Sequence, residues 1–184
     1  IDYCVGRHNY QVAAGSFFQG NRFLVDRLVS LVIADADGTN ALDLYAGVGV
    51  FGVPMAERFK HVKAVDSSTC AVRCLEENAR RAGVSVQTVH LGVEEYVRET
   101  DQKFDFVVAD PPRAGLGPAV TEALVQIHPS RLALVSCDPA TLARDLRVLI
   151  AGGFTIEKIT LIDLFPQTYH IEAVVQLVYP KRYV

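Results

Sequence analysis

A chain of 184 residues, half of them apolar and 21% charged, is sized for one folded domain and excludes wholesale disorder. Lys and Arg total 18 against 21 Asp and Glu, a formal charge of −3. That balance excludes a freestanding nucleic-acid coat protein, but not an enzyme whose grip on nucleic acid comes from another region.

In chain order, residues 1–16 are mixed and polar, with Gly6 and Gly15 as punctuation. From Asn21 the pattern is helical, with Phe23, Leu24, Leu28, Leu31 and Val32 on one predicted face. A loop over Asp35–Asn40 leads into a short apolar run, Ala41–Tyr45, then a glycine-rich turn and a helix-like stretch through Arg58. Val62–Asp66 is a second run, followed by a longer helix-like stretch over Ser67–Ala82. Val84–Leu91, Phe104–Asp110 and Leu132–Ser136 are the third, fourth and fifth runs, and a helix follows from about Ala140 to Ala151. Gly152-Gly153 ends that helix. Thr155–Leu164 and Ile171–Tyr179 are β-rich with no helical pattern between them.

Short apolar strands alternating with amphipathic helices predict an α/β fold, a mostly parallel sheet covered on both faces. The last two strands lack a crossover helix and are expected to pair antiparallel at one side. Ligands of such sheets bind beyond the carboxyl ends of the strands. This directs attention to Asp43–Gly52, Asp66, Asp110–Gly115 and Ser136–Pro139.

Residues 43–52 contain G-x-G-x-x-G over Gly47, Gly49 and Gly52, a spacing that lets backbone approach a ligand. Asp66 ends the next run, where an acid can take both ribose hydroxyls. Alone, the pattern fits a nicotinamide dinucleotide as well as S-adenosylmethionine. Asp43 shifts the balance, because a carboxylate is unwelcome beside a pyrophosphate and suits the ammonium of a methionine moiety. Tyr45 adds an aromatic surface. Asp110-Pro111-Pro112-Arg113 fixes a carboxylate on a stiff loop, and Arg113 can bind a phosphate or fix a neighbouring acid. Cys137 lies between a strand and a helix start, where a thiol can become nucleophilic or simply pack. Cys70 and Cys74, one helical turn apart, have no companion pair at metal-ligand spacing and are read as helix packing, so no metal site is expected. His170 and Glu172 share one side of an extended segment, with Glu172 a candidate base and His170 its partner.

Together these motifs resemble the RNA (uracil-5-)-methyltransferases. The resemblance runs from about Phe17 to Val175. It rests on Phe17-Phe18-Gln19-Gly20-Asn21, Asp43-Leu44-Tyr45-Ala46-Gly47-Val48-Gly49, Asp110-Pro111-Pro112-Arg113-Ala114-Gly115 and Ser136-Cys137-Asp138-Pro139 running to Arg144-Asp145. The segment from Phe165 to Glu172 is a fifth motif. The family implies a Rossmann-like methyltransferase fold with a seven-stranded sheet, and transfer of methyl from S-adenosylmethionine to C5 of a uridine in tRNA or rRNA. By position, Gln19, Tyr45, Asp66 and Asp110 match cofactor contacts, joined in our reading by Asp43, Gly47 and Gly49. Phe17 matches an aromatic stacked near the target base, and we place Asp110 and Arg113 there too. Cys137 matches the nucleophile that adds to C6 of a flipped-out uridine, and Glu172 the general base.

Val50 stands where the family commonly has Asn, and Gly92 where it commonly has a polar residue near the adenine. The family's upstream part, often an RNA-binding barrel and in some members an iron–sulfur cluster, has no counterpart here. A start at Ile1 leads us to expect residues 1–16 to be the end of such a region and residues 17–184 to be the catalytic domain. Without a signal peptide or an apolar run of membrane length, a cytoplasmic location is expected. Two rivals remain. A domain that binds cofactor and RNA without catalysis is motivated by Val50 and Gly92. A nicotinamide oxidoreductase rests on the glycines alone.

Overall fold

The computed structural model describes residues 1–168 and 170–180. Tyr169, within the fifth motif, and residues 181–184, the end of the expected catalytic domain, lie outside the described residues.

Seven strands form one sheet: β3 (Asn40–Leu44), β4 (His61–Asp66), β5 (Gln87–His90), β6 (Phe106–Ala109), β7 (Arg131–Ser136), β8 (Thr155–Ile162) and β9 (Glu172–Val178), in the order β5-β4-β3-β6-β7-β9-β8. Pairing is parallel from β5 to β7, and β9 runs antiparallel between β7 and β8. The expected α/β class and antiparallel final strands are therefore present. Strand order reverses between β3 and β6, which puts Tyr45 and Asp110 at the mouth of the crevice where such folds hold ligands.

Both sheet faces are covered, as near-continuous apolar strands require. On one side lie α1 (Val25–Val32), α2 (Gly52–Met55) and α3 (Thr69–Ala82), which share a core with Ala41, Val62, Phe106 and Val135. On the other lie α4 (Val93–Glu99), α5 (Gly117–Ile127) and α6 (Pro139–Ala151), packed on Leu42, Leu44, Val107 and Leu134. The sequence reading identified neither α4 nor α5. The expected helix through Arg58 is regular only over Gly52–Met55.

Two other expectations change. Phe23 is 79% exposed, and Val25, Leu28, Val29 and Val32 form the buried face of α1. Asn21 explains the rotation. Its Oδ1 accepts from the backbone N–H groups of Phe23 and Leu24 at 3.1 and 3.2 Å, starting the turn and leaving Phe23 outside. The polar N-terminal segment also has structure. β1 (Asp2–Val5) and β2 (His8–Gln11) form a hairpin, and Val5, Tyr10 and Val12 join the α1–α3 core.

Asn78 on α3 locks this hairpin to the glycine turn. Its Oδ1 accepts from Gln11 N at 2.7 Å, and its Nδ2 donates to Gln11 O at 3.1 Å and Val48 O at 3.0 Å. Asn78 is 2% exposed, so Asn78→Ala strands three backbone groups away from most of the solvent. We expect a loss of about 2 kcal/mol, read as a fall in the denaturation midpoint at unchanged slope.

Candidate active site

The turn from β3 to α2 starts with Tyr45, a non-glycine residue in the left-handed region at φ 61°. Gly47 follows at φ 55° and Gly49 at φ 90°. The two glycines serve different ends. A Cβ on Gly47 meets nothing within 4 Å, so that residue borders open space, while a Cβ on Gly49 lies 2.9 Å from Leu75 Cγ and is excluded by packing against α3. Asp66, at the end of β4, accepts from Gly47 N and Ser68 N, both at 2.8 Å, and so holds the turn from the neighbouring strand.

Beside this turn lies a shallow recess lined by Phe17, Phe18, Gln19, Tyr45, Gly47, Val50 and Asp110, among others. Gln19 is buried, and its Nε2 donates to Asp110 Oδ2 at 3.2 Å. Burial lifts the Asp110 carboxyl to about 6, with the Gln19 hydrogen bond pulling the other way. Tyr45 also borders a wider depression that includes Gly92, Pro112 and Gly115. Burial, with Glu94 and Asp145, pushes the Tyr45 phenol up to about 12.

Asp43 does not line the recess. It is fully buried beneath the turn, and neither carboxylate oxygen has a hydrogen-bond partner. Burial drives its carboxyl well above the usual range, and Asp110 and Asp66 add to this. The Gly52 N–H, which faces it without reaching hydrogen-bond geometry, partly opposes the rise.

A second group of side chains meets on the far side of Asp110. Ser136 pairs with Ala173 at the end of the β7–β9 register, so Cys137 and Glu172 flank that last pair, close enough for the Glu172 charge to act on the thiol. Glu172 is 3% exposed, and Cys137 is half-buried. Burial pushes the Glu172 carboxyl up to about 7, and the Asp110 charge pushes the same way. Burial and the Glu172 charge raise the Cys137 thiol, while Arg113 draws it back down through a hydrogen bond and its charge. Arg113 Nη2 also donates to His170 Nε2 at 2.7 Å, so His170 is brought to Arg113. Asp138 Oδ1 caps α6, accepting from Ala140 N at 3.0 Å and Thr141 N at 2.8 Å, which fixes the backbone just after the thiol.

The stiff loop after β6 is pinned from α6. Asp145, 2% exposed, accepts from Leu116 N at 2.7 Å and from Arg144 Nε at 3.0 Å, and Arg144 Nη2 donates to Ala114 O at 2.7 Å. Asn78 was not singled out from sequence and Asp145 entered only as the end of a motif without a role, although a signal exists for both. Each sits on the apolar face of its helix, beside Leu142, Leu146 and Leu149 or beside Cys74, Leu75 and Ala79. A polar residue there must find buried partners.

The predicted site residues thus fall into two adjoining groups. Phe17, Gln19, Tyr45 and Gly47 border the recess, with Asp66 and Gly49 shaping its turn. Cys137, Glu172 and Arg113 form the second group, and Asp110 belongs to both. Val50, 8% exposed, lines the recess, and Gly92 lines the wider depression. Cys74 is buried on α3 and Cys70 is half-buried near Ser16. Among the described residues, no group of three or more His, Cys, Asp and Glu side chains is placed to hold a metal ion, and no helix is long and apolar enough to cross a membrane.

The profile of the tRNA (uracil-5-)-methyltransferase family matches residues 5–179. An uncharacterized RNA methyltransferase of Thermotoga maritima is 36% identical over 177 residues, covering 94% of this chain and 40% of the relative. A tRNA (uracil(54)-C(5))-methyltransferase of Pyrococcus abyssi is 40% identical over 172 residues, covering 92% of this chain and 40% of its own. The crystal structure of the P. abyssi tRNA (uracil-54, C5)-methyltransferase in complex with S-adenosyl-L-homocysteine superposes with a TM-score of 0.88 at 35% identity. That match covers 97% of this chain and 44% of the other. The chain therefore spans about two fifths of the length of the curated relatives it matches.

Proposed function

The chain belongs to the tRNA (uracil-5-)-methyltransferase family, and from that premise we propose that it transfers methyl from S-adenosylmethionine to C5 of a uridine in cytoplasmic tRNA or rRNA, through a covalent adduct of Cys137 at C6. The observation that carries this reading is the end of the β7–β9 register at Ser136 and Ala173, which sets Cys137 and Glu172 beside each other next to a glycine-turn recess, with the Glu172 charge acting on the thiol. A relative with this fold and 35% identity binds the demethylated donor, and the recess carries groups suited to such a ligand. It has open space at Gly47, an aromatic at Tyr45 and an acid at Asp66 behind the turn. Bound there, S-adenosylmethionine supplies an electrophilic methyl group.

Each residue then has a task. Gln19, Tyr45, Gly47 and Asp110 contact the donor, and Asp66 and Gly49 hold the turn that receives it. Asp43 supports this turn from beneath, close under Gly52. Phe17, 75% exposed at the recess edge, stacks against the flipped-out base. C5 of uracil is a poor nucleophile. When Cys137 Sγ, as thiolate, bonds to C6, the C5=C6 electron pair moves into the C4 carbonyl as an enolate, and C5 gains the electron density to take the methyl group as the methyl–sulfur bond of the donor breaks, leaving S-adenosylhomocysteine and restoring the C4 carbonyl. Glu172 removes the C5 proton, the electrons of that C–H bond restore C5=C6, and the S–C6 bond breaks to release Cys137 as thiolate. Arg113 offsets the burial that disfavours that thiolate. An upstream region supplies most of the electrostatic hold on RNA, in keeping with a charge of −3.

The test uses RNA carrying 5-fluorouridine, in which C5 bears fluorine in place of the proton Glu172 removes. Incubated with S-adenosylmethionine, the protein should form a denaturant-resistant adduct containing one methyl group, with Cys137 as the modified residue in peptide mapping. A protein that binds S-adenosylhomocysteine and RNA yet forms no adduct and makes no 5-methyluridine is the non-catalytic domain instead.

A further inference from the structure

Phe23 belongs to no core and is 79% exposed, more than Phe17. A single exposed apolar side chain is ordinary, but this one is held in place. Asn21 Oδ1 accepts from Phe23 N at 3.1 Å, and Asn21 Nδ2 donates to Leu164 O at 3.1 Å. The second bond ties the turn bearing Phe23 to the connection between β8 and β9, which carries His170 and delivers Glu172. The Arg22 guanidinium lies 4.9 Å from the Phe23 ring centroid, so an aromatic face and a cation sit together. Asp26, the nearest acid along the chain, turns toward the β1–β2 hairpin, where its Oδ1 lies 2.8 Å from the position of a Cβ on Gly6.

The geometry points to Arg22 and Phe23 as a landing platform for an RNA nucleotide flanking the target uridine, its base stacked on Phe23 and its phosphate paired with Arg22. This rests on the reading of the chain as an RNA methyltransferase. The chain path supports it. Phe23 lies six positions after Phe17, at most about 22 Å of backbone, so the two exposed rings lie within a few nucleotides of each other. A surface with little bulk attraction for phosphate gains most from aromatic stacking, which tolerates any base because every base has a π-face.

The chain has no tryptophan, so Phe23→Trp places a single indole on the platform. Titrating the full chain bearing F23W with a single-stranded, uridine-containing oligoribonucleotide should quench that fluorescence to saturation. Phe23→Ala should raise the KM for RNA about 5- to 100-fold, with the loss falling on KM rather than kcat. Its affinity for S-adenosylhomocysteine, measured by calorimetry, reports that the fold is intact. Arg22→Ala should lower the slope of log Kd for RNA against log salt by about 1. An indole left unquenched at RNA concentrations that saturate the protein overturns the proposal. So does an unchanged KM in F23A, including the case in which F23A only disperses a self-associated form. Should the unsubstituted protein make no methylated uridine, the earlier reading fails, and quenching of F23W still decides by itself whether RNA seats on Phe23.

Discussion

Cys137→Ala lowers methyl transfer to uridine by about 10³-fold or more, while affinity for S-adenosylhomocysteine stays within about twofold. The two halves follow from separate geometry. Cys137 and Glu172 flank the last pair of the β7–β9 register, whereas the recess beside the glycine turn is lined by Phe17, Gln19, Tyr45, Gly47 and Asp110. No other cysteine can take over. Cys74 is buried on α3, Cys70 sits by Ser16, and Cys4 is in the β1–β2 hairpin. Stability should change little, within about 1 kcal/mol, because the side chain is half-buried and Asp138 still caps α6. Cys137→Ser should be as inactive as the alanine variant, since a hydroxyl does not ionise to a useful degree where burial already raises a thiol. Radiolabelled methyl incorporation and calorimetry check both halves. An alanine variant that methylates at the unsubstituted rate removes covalent catalysis from this site.

Much of this site is legible in the sequence because its residues occupy strand ends, and strand ends are fixed by short apolar runs. Asp66 and Asp110 end such runs, Cys137 directly follows one and Glu172 stands at the start of another, while Asp43 lies within its run. What escapes is set by tertiary partners. The β1–β2 hairpin has four-residue strands and is stabilised through Asn78 and the α1–α3 core, so neither its composition nor its period announces it. Phe23 fits the helical spacing, yet Asn21 starts the turn one face away. Asp43 reads from sequence as a ligand to an ammonium group. The pleat instead places it on the same face as Ala41, beneath Gly52 and away from the recess surface. Sequence fixes which residue ends a strand, whereas packing decides whether its side chain reaches the crevice.

The same packing predicts that Glu172→Gln inactivates the protein and stabilises it. An ordinary glutamate titrates near 4.5, and in the fold burial and Asp110 push Glu172 to about 7. The native state therefore holds this proton more tightly than the unfolded chain does. Below pH 4.5 both states are protonated and the group contributes nothing to the stability difference. Between 4.5 and 7 the unfolded chain sheds the proton first, so stability falls as pH rises, and above 7 the full penalty persists. A shift of that size corresponds to about 3 kcal/mol, and relaxation around a real side chain reduces it to about 2 kcal/mol. Glutamine carries no charge at any of these pH values. Its stabilising effect should be near zero at pH 4 and about 2 kcal/mol at pH 8, a rise in Tm of about 4–8 °C. Activity should move the opposite way. The proposed mechanism needs Glu172 ionised to take the C5 proton and Cys137 ionised to add to C6, so the rate should climb through pH 7 and keep rising toward the thiol's elevated range. In Glu172→Gln, adduct formation with RNA should persist while proton removal stops, and the protein–RNA adduct should accumulate. Thermal melts at pH 4 and pH 8, run beside an adduct assay, separate this from a structural role. A structural glutamate, once replaced, would lower the melting temperature at pH 8 rather than raise it.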